Sequence, residues 1–281
     1  MKGATSVAAF LAVARGKIDR LDARLLLQHV SGLSHAQLIA EPRTSLSETQ
    51  IRALAALLER RAAGEPLAYL VGQAGFRGRG FAVTPDVLIP RPETEELVDL
   101  ALEKLRAAAN LCSAPRCLDL GTGSGVIAIS LKLEFPAAEV HAVEVSPAAL
   151  EIARANAAEL GATVEFREGS WYAPLADERF DLIVSNPPYV AAGDPHLELN
   201  GLPYEPAGAL SDGGDGLDCI RAIIAGAPAH LQPGGWLLFE HGFDQGAAVR
   251  NLLCSAGLEM AFTANDLSGQ ERISGGRKPL V

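Results

Sequence analysis

The stretch Asp119-Leu120-Gly121-Thr122-Gly123-Ser124-Gly125 stands between a short apolar run and a helical pattern that begins at Val126. Glycines in such a turn permit positive φ angles and allow a ligand to approach the backbone closely. A tight turn without a ligand is the alternative, because short glycine motifs have many false positives. The stretch therefore predicts a strand, a turn and a helix, the repeating unit of an α/β fold.

An acidic residue, Glu144, ends the next predicted strand. A carboxylate at this position can accept hydrogen bonds from both ribose hydroxyls of an adenosine-type cofactor. The glycine spacing differs from G-x-G-x-x-G, because Gly125 follows Gly123 and Val126 comes next. A dinucleotide needs its pyrophosphate on the helix N-terminus, whereas this loop suits an uncharged adenosine joined to a sulfonium amino acid. The pattern D-x-G-x-G-x-G with an acidic second strand resembles class I S-adenosylmethionine-dependent methyltransferases.

Strand and helix patterns alternate from Arg91 onward. Five segments are predicted as strands: Cys117–Leu120, Val140–Val145, Thr163–Phe166, Leu182–Ser185 and Trp236–His241. This alternation predicts a parallel sheet with helices on both faces. Leu258–Thr263 and Glu271–Ser274 predict two further strands, as an antiparallel pair at the sheet edge.

The chain divides by pattern into three segments. Residues 1–66 predict short helices, which are too short to be stable alone and should pack as a small bundle. Ser47 and Gln50 have the spacing of a capping box at the start of one of them. Residues 67–90 combine glycines with aromatic and β-branched residues and predict a β-hairpin linker. Residues 91–281 form the α/β domain.

Composition restricts the class of protein. With 281 residues, 48% of them hydrophobic, the chain can bury a substantial core. Its net charge of −10 argues against tight, sequence-independent binding to nucleic acid. The four cysteines have neither CxxC spacing nor disulfide density, which favours a reduced, cytoplasmic location. We see no targeting segment, no membrane segment and no His/Cys spacing typical of a metal site.

The run Asn186-Pro187-Pro188-Tyr189 follows directly after a predicted buried strand. It therefore lies at the carboxyl edge, where open α/β sheets bind ligands. A strand that simply ends at two prolines is the alternative, but that would not require the flanking asparagine and tyrosine.

This run has the groups needed to methylate a planar NH₂ nitrogen. Such a nitrogen is a poor nucleophile because its lone pair is delocalised, so it must be held facing the methyl donor. The side-chain carbonyl of Asn186 and the backbone carbonyl of Pro187 can accept its two hydrogens, and Tyr189 offers a flat face. Catalysis then depends on proximity, alignment and carbonyl dipoles, without a metal or strong base. Adenine N6, guanine N2 and a glutamine amide all remain possible acceptors.

Several further motifs narrow the resemblance. They are Gly64–Gly72, Val87–Glu95, Tyr204-Glu205-Pro206, Gly213–Leu217 and Glu240-His241-Gly242. Together with Asn186–Tyr189 they closely resemble the release factor glutamine methyltransferase family (HemK or PrmC), over well more than half of the chain.

The resemblance implies a helical N-terminal domain and a β-hairpin linker joined to a seven-stranded methyltransferase domain. It implies methylation of the side-chain amide nitrogen (N5) of the glutamine in the Gly-Gly-Gln motif of class I peptide chain release factors. The cofactor would be S-adenosyl-L-methionine, with S-adenosyl-L-homocysteine as product, and no metal. We expect a cytoplasmic monomer whose partner is the release factor, without direct nucleic acid or membrane contact. The N-terminal bundle would contact the partner or only stabilise the enzyme.

The same resemblance assigns site residues. The cofactor would be held by Gly121, Thr122, Gly123, Ser124, Gly125, Glu144, Trp171 and Asn186. The glutamine site would consist of Asn186, Pro187, Pro188 and Tyr189, with Asn186, Pro187 and Tyr189 as the catalytic set. Trp171 would lie against the adenine, although a core tryptophan is the alternative. Ser170 stands where relatives often have aspartate.

Other polar residues have two interpretations each. Asp119 forms either a turn or part of the site near the methionine end of the cofactor. Glu93 and Glu95 suit a helix N-terminus. Glu205 braces the loop over the acceptor or is solvated. A set of arginines is solvated or contacts an acidic protein partner: Arg60, Arg61, Arg77, Arg79 and Arg91.

Three alternative functions compete with the release-factor methyltransferase. A nucleic-acid amino methyltransferase would share the Asn186–Tyr189 run, but the net charge of −10 opposes it. A cofactor-binding protein without catalytic activity would not need the Asn186–Tyr189 run. An NAD-dependent oxidoreductase requires a different glycine spacing.

Overall fold

The computed structural model describes residues 5–110, 112–199 and 201–281. Residues 1–4, which belong to the predicted first segment, lie outside the described residues. The described chain forms two compact units. The first comprises described residues of Met1–Gln73 and Glu198–Tyr204, and the second comprises those of Ala74–Leu197 and Glu205–Val281.

The first unit is helical, as its sequence pattern predicts. Its α-helices are α1 (Val7–Ala14), α2 (Arg20–Ser31), α3 (His35–Ala40), α4 (Glu48–Ala62) and α5 (Leu67–Val71). The predicted capping box is confirmed, because Ser47 Oγ accepts from the Gln50 backbone and the Gln50 side chain accepts from the Ser47 backbone. Phe10, Leu26 and Leu54 are fully buried in one apolar cluster that joins these helices.

A hairpin is present within residues 67–90, as predicted, but it is shorter than that segment. Its first residues form α5 instead, which ends at Gly72 in a left-handed conformation. The hairpin consists of β1 (Gln73–Phe76) and β2 (Arg79–Ala82). Arg77 and Gly78 between them both have positive φ, at 48° and 71°, as a two-residue type I′ turn requires.

The second unit is built on a mixed sheet. Its strands are β3 (Arg116–Leu120), β4 (Glu139–Glu144), β5 (Glu165–Glu168), β6 (Phe180–Ser185), β7 (Leu231–Glu240), β8 (Glu259–Asn265) and β9 (Glu271–Arg277). Its helices are α6 (Thr94–Ala109), α7 (Val126–Glu134), α8 (Pro147–Leu160), α9 (Ala207–Leu210), α10 (Asp218–His230) and α11 (Gly246–Ser255). Among the described residues these seven strands form one sheet in the order β5-β4-β3-β6-β7-β9-β8.

The predicted topology is confirmed, but the strand boundaries differ, mostly by one to three residues and most at the start of β7. Strands β3 to β7 pair in parallel, and β8 and β9 add the predicted antiparallel pair at the edge. Strand β5 begins at Glu165 rather than Thr163. Strand β7 begins at Leu231 rather than Trp236. Gly234 and Gly235, which precede Trp236, lie within β7, and the register between β7 and β6 shifts between Phe180 and Leu182.

Both faces of the sheet are buried. Cys117 on β3 joins an apolar cluster that includes Phe76, Leu97 and Ile129. The next residue of β3, Leu118, joins a separate cluster on the opposite face. Because side chains alternate along a strand, this division gives the three-layer arrangement expected of a doubly wound sheet. The sheet order reverses at β3, and there the carboxyl ends of β3, β4 and β6 converge.

Asn156 on α8 connects the hairpin to the glycine stretch. Its Nδ2 donates to Ala82 O at 3.1 Å and to Ser124 O at 2.8 Å, and its Oδ1 accepts from Ala82 N at 2.7 Å. The residue is only 3% exposed. One buried side chain therefore satisfies three backbone groups, two on Ala82 and one on Ser124, which are distant in the sequence.

We expect Asn156→Ala to lower the free energy of unfolding by about 1–3 kcal/mol, because backbone groups of Ala82 and Ser124 lose their hydrogen-bond partner. Urea denaturation followed by circular dichroism measures the change. Asn251→Ala, at an exposed position of α11, is the matched control and should unfold like the wild type. Equal midpoints for the two variants would contradict the bridging role of Asn156.

Candidate functional site

A cavity of about 460 Å³ opens at the carboxyl ends of β3, β4 and β6. This volume is typical of small-ligand sites. The sequence-predicted residues that line it are Gly121, Thr122, Gly123, Ser124, Glu144, Trp171, Asn186 and Pro188. The glycine stretch and the acceptor run, which lie more than fifty residues apart in the sequence, therefore share one cavity.

The glycine stretch turns sharply at the end of β3. Gly121, Gly123 and Gly125 have φ angles of 71°, 56° and 86°, which side-chain-bearing residues rarely adopt. Gly125 does not line the cavity, although the sequence assigned it to the cofactor. A Cβ there would lie 2.8 Å from Ile129 Cδ1 and 3.3 Å from Ala153 Cβ. Gly125 thus permits α7 to begin close against α8.

Glu144 is buried at the end of β4, with 8% exposure. Its two carboxylate oxygens accept from the backbone N–H groups of Gly123 and Ser146, each at 2.9 Å. Each oxygen keeps further acceptor capacity, and Glu144 lines the cavity. The carboxylate is therefore fixed by backbone donors and still able to accept hydrogen bonds from a ligand.

Asp119 lies beneath the glycine stretch and is fully buried. Its Oδ2 accepts from Thr122 Oγ1 at 2.6 Å and from Ala128 N at 3.2 Å, whereas its Oδ1 has no partner. Burial raises the pKa of Asp119 to about 7. The structure therefore assigns Asp119 at least the turn-forming role, since it connects the glycine stretch to the first turn of α7.

Trp171, which follows β5, packs against the core and also lines the cavity. Its backbone has a φ of 47°, and its ring lies over Gly121, where a Cβ would be 3.5 Å from Cζ3. The ring packs against the apolar cluster that contains Leu118 and also lines the cavity together with Ser170. A Cβ at Gly121 would make only an ordinary contact with the ring, so its positive φ of 71° rather than lack of space favours glycine here.

The acceptor run is held at the end of β6. Ser185 Oγ donates to Leu120 O at 2.7 Å, which joins the end of β6 to the end of β3. Asn186 and Pro188 line the cavity, whereas Pro187 is buried and Tyr189 does not line it. Tyr189 Oη donates to Glu240 Oε1 at 3.0 Å. Burial, followed by the nearby Glu240 carboxylate, raises the pKa of Tyr189.

Sequence reasoning did not identify Thr94 and Glu240 as site residues. Asn186 Nδ2 donates to Thr94 Oγ1 at 3.1 Å, and Thr94 Oγ1 donates to Glu240 Oε2 at 2.7 Å. Glu240 is 1% exposed, and burial raises its pKa, against the lowering effect of hydrogen bonds from Thr94 and Tyr189. The available signals were the motifs that contain these residues, Val87–Glu95 for Thr94 and Glu240-His241-Gly242 for Glu240. Glu240 is also a carboxylate at the end of a buried strand.

Glu205 is a buried brace rather than a solvated loop residue. Its carboxylate accepts from the backbone of Ile89 at 3.0 Å and from the Arg91 guanidinium at 2.5 Å. Arg91 and Pro206 both line the cavity. This pair therefore connects the segment before α6 with the segment before α9 at the mouth of the cavity.

Comparisons with known proteins identify the family. The domain "PrmC N-terminal domain" matches residues 5–72, and "Methyltransferase small domain" matches residues 98–214. A release factor glutamine methyltransferase of Xylella fastidiosa (strain Temecula1) is 50% identical over 96% of this chain and 98% of its own. One from Bordetella pertussis is 51% identical over 92% of this chain and 95% of its own.

The chain belongs to the release factor glutamine methyltransferase family. This membership confirms the family and the methyltransferase class that the sequence motifs predict, in preference to an NAD-dependent oxidoreductase. A solved structure of the T. thermophilus 16S rRNA N2 G1207 methyltransferase, in complex with AdoMet and guanosine, has a TM-score of 0.52. It is 21% identical and covers 73% of this chain and 49% of that chain. At this identity the likeness concerns the fold alone.

The arginines considered for an acidic partner are occupied within their own units. The ion pairs join Arg60 to Glu65, Arg61 to Asp22, Arg77 and Arg79 to Glu134, and Arg91 to Glu205. Arg77 lies in the hairpin turn, and its pair with Glu134 joins the hairpin to α7. The structure therefore favours an internal role for this set over contact with a partner.

Among the described residues, one group of three carboxylates has the proximity of metal ligands. Asp212, Asp215 and Asp218 have oxygens within 4.8 Å of one another. Asp212 accepts from the backbone of Gly214, and Arg221 pairs with Asp215 and Asp218. These carboxylates shape the loop before α10, and the absence of a metal stays a prediction of the sequence.

Within the ranges that the structure describes, no helix is both long and apolar enough to cross a membrane.

Proposed function

We propose that this chain methylates the side-chain amide nitrogen of the glutamine in the Gly-Gly-Gln motif of class I release factors, with S-adenosyl-L-methionine as methyl donor. One observation carries the proposal. Asn186 and Pro188 line the same cavity as the glycine stretch and Glu144, in a chain 50% identical to a release factor glutamine methyltransferase. An acceptor motif and a candidate cofactor site thus open into one space.

The residues present fit an adenosyl sulfonium cofactor. The glycine stretch gives close access to the backbone, and Glu144 has acceptor capacity for ribose hydroxyls. The Trp171 ring offers a flat apolar surface for the adenine. When bound, the cofactor supplies an electrophilic methyl group. Ser170 lines the cavity beside Trp171, so the adenine amino group would have a hydroxyl rather than a carboxylate nearby.

Asn186 and Pro187 orient the acceptor amide. Their carbonyl oxygens accept its two N–H hydrogens, which turns the nitrogen lone pair toward the methyl group and polarises the N–H bonds. Because the nitrogen loses a proton to water as it is methylated, no strongly basic side chain is required. Positioning and carbonyl dipoles then account for catalysis.

The expected partner and location follow from this activity. The protein substrate is a class I release factor, which acts in the cytoplasm. We propose that the enzyme works there as a monomer and without a metal. We propose that the helical first unit contacts the release factor and that the second unit carries out methyl transfer.

Methyl transfer from labelled S-adenosylmethionine to a purified class I release factor tests the proposal. A release factor with the Gly-Gly-Gln glutamine changed to alanine is the matched control, and tRNA, rRNA and DNA form a third arm. Label on the intact release factor alone is the expected result. Label on a nucleic acid alone would replace this function by a base amino methyltransferase. Equal label on both release factors would place the reaction at another residue.

A further inference from the structure

A chain of buried hydroxyl and carboxylate groups extends from Asn186, and its first member, Thr94, also lines the cavity. Asn186 follows β6, Thr94 is the first residue of α6, and Glu240 is the last residue of β7. Thr94 and Glu240 are 2% and 1% exposed. The hydrogen bonds run from Asn186 Nδ2 to Thr94 Oγ1 at 3.1 Å and from Thr94 Oγ1 to Glu240 Oε2 at 2.7 Å.

The direction of these hydrogen bonds follows from what each group can donate. Thr94 Oγ1 donates its single hydroxyl proton to one oxygen of Glu240, and Tyr189 Oη donates to the other, an arrangement in which the carboxylate only accepts. Thr94 Oγ1 has then no proton left and can only accept. Asn186 must therefore present its NH₂ group to Thr94, and its Oδ1 must point away from Thr94.

Burial of Glu240 argues for a role beyond stability. A buried carboxylate loses its hydration, and apolar replacements of buried ionic groups are often neutral or stabilising. Here the carboxylate accepts two hydroxyl donors, Thr94 and Tyr189, and lies at the end of a rigid central strand. A fixed acceptor on such a strand is suited to hold a neighbouring side chain in one orientation.

We propose that Thr94 and Glu240 are positioning residues, which fix the Asn186 amide so that its Oδ1, rather than its NH₂, faces the acceptor nitrogen. The inference rests on the proposed function and deepens it. Without this pair the Asn186 amide can rotate by 180° and present its NH₂ to the NH₂ of the substrate. Two donors then face each other, and the acceptor nitrogen loses its alignment.

Thr94→Val tests the proposal, because valine has nearly the shape of threonine but no hydroxyl. We expect kcat to fall by about 10–100-fold, whereas the Kd of S-adenosylmethionine changes less than about threefold, since alignment rather than binding is lost. Thr94→Ser restores the hydroxyl and should recover most of the lost turnover. Thr163→Val, at an exposed position, is the matched control and should act like the wild type.

A double-mutant cycle separates positioning from a general structural effect. In an Asn186→Ala background there is no amide to orient, so adding Thr94→Val should lower kcat by less than about twofold further. Glu240→Gln is the second route, should Thr94→Val fold poorly. It can donate as well as accept, and we expect about tenfold lower kcat. If the losses in kcat caused by Asn186→Ala and Thr94→Val were fully additive, the proposal would be overturned.

An NMR readout keeps this inference distinct from the proposed function, because it needs no substrate. In protein labelled with ¹⁵N-asparagine, the Asn186 side-chain NH₂ signal is identified by its loss in Asn186→Ala. We expect its exchange with solvent to be at least about tenfold faster in Thr94→Val than in the wild type, because the hydrogen bond is lost. Unchanged exchange would overturn the positioning role, whatever the substrate. If wild-type enzyme left release factors unmethylated while exchange changed as expected, the proposed function alone would fail.

Discussion

Asn186→Ala is expected to lower kcat for release factor methylation by about 10²–10³-fold, the loss typical of removing one preorganised polar group that acts on the reacting centre. The physical reason is geometric. Asn186 supplies a carbonyl that aligns the acceptor amide, and its position at the end of β6 is fixed by Ser185 and Thr94. Single-turnover kinetics with labelled S-adenosylmethionine measures the methyl-transfer step directly.

Binding of the cofactor should respond much less to this substitution. We expect calorimetry to give a Kd of S-adenosylmethionine within about tenfold of the wild-type value, because the glycine stretch and Glu144 remain intact. Asn251→Ala, on the exposed side of α11, controls for the loss of an asparagine elsewhere. An equal loss in turnover and affinity would contradict the acceptor-aligning role and make Asn186 mainly a cofactor residue.

Local patterns were the part of this fold that sequence reasoning predicted well. The capping box at Ser47 depends on residues three apart, and it is present in the structure. Five parallel strands and an antiparallel edge pair follow from alternating apolar runs, and the sheet has this arrangement. Boundaries were less accurate, because a short segment such as Leu67–Val71 fits a helix or a strand by pattern alone.

Contacts between distant residues were the part that could not be predicted. Thr94 and Glu240 are 146 residues apart, and nothing in the local sequence of either indicates the other. The same holds for Asn156, whose partners lie in the hairpin and the glycine stretch. Only the packing of α6 and α8 against the sheet brings these groups together. Thr94 and Glu240 do lie within motifs that carry the family resemblance, Val87–Glu95 and Glu240-His241-Gly242, but neither motif indicates that the two residues contact each other.

Glu144→Ala is expected to weaken binding of S-adenosylmethionine by about 1–3 kcal/mol, or roughly 5–150-fold in Kd. The ribose hydroxyls would lose their acceptor. The backbone N–H groups of Gly123 and Ser146 would also lose the carboxylate to which they donate. Isothermal titration calorimetry measures the change. Glu168→Ala is the matched control, since Glu168 ends the neighbouring strand β5 but is exposed and does not line the cavity. Unchanged affinity in Glu144→Ala would exclude the ribose assignment.

Two physical causes of the lower affinity expected for Glu144→Ala can be separated with a modified ligand. If Glu144 bonds the ribose directly, a 2′-deoxy analogue of S-adenosylhomocysteine should bind wild-type enzyme more weakly. Glu144→Ala should then weaken binding of the analogue only slightly further, because the analogue already lacks that hydrogen bond. If Glu144 acts only through Gly123, the two losses should add to within about 0.5 kcal/mol, as independent effects do. Because both Glu144 oxygens already accept backbone donors, we expect a mixed result in which direct coupling is the larger part.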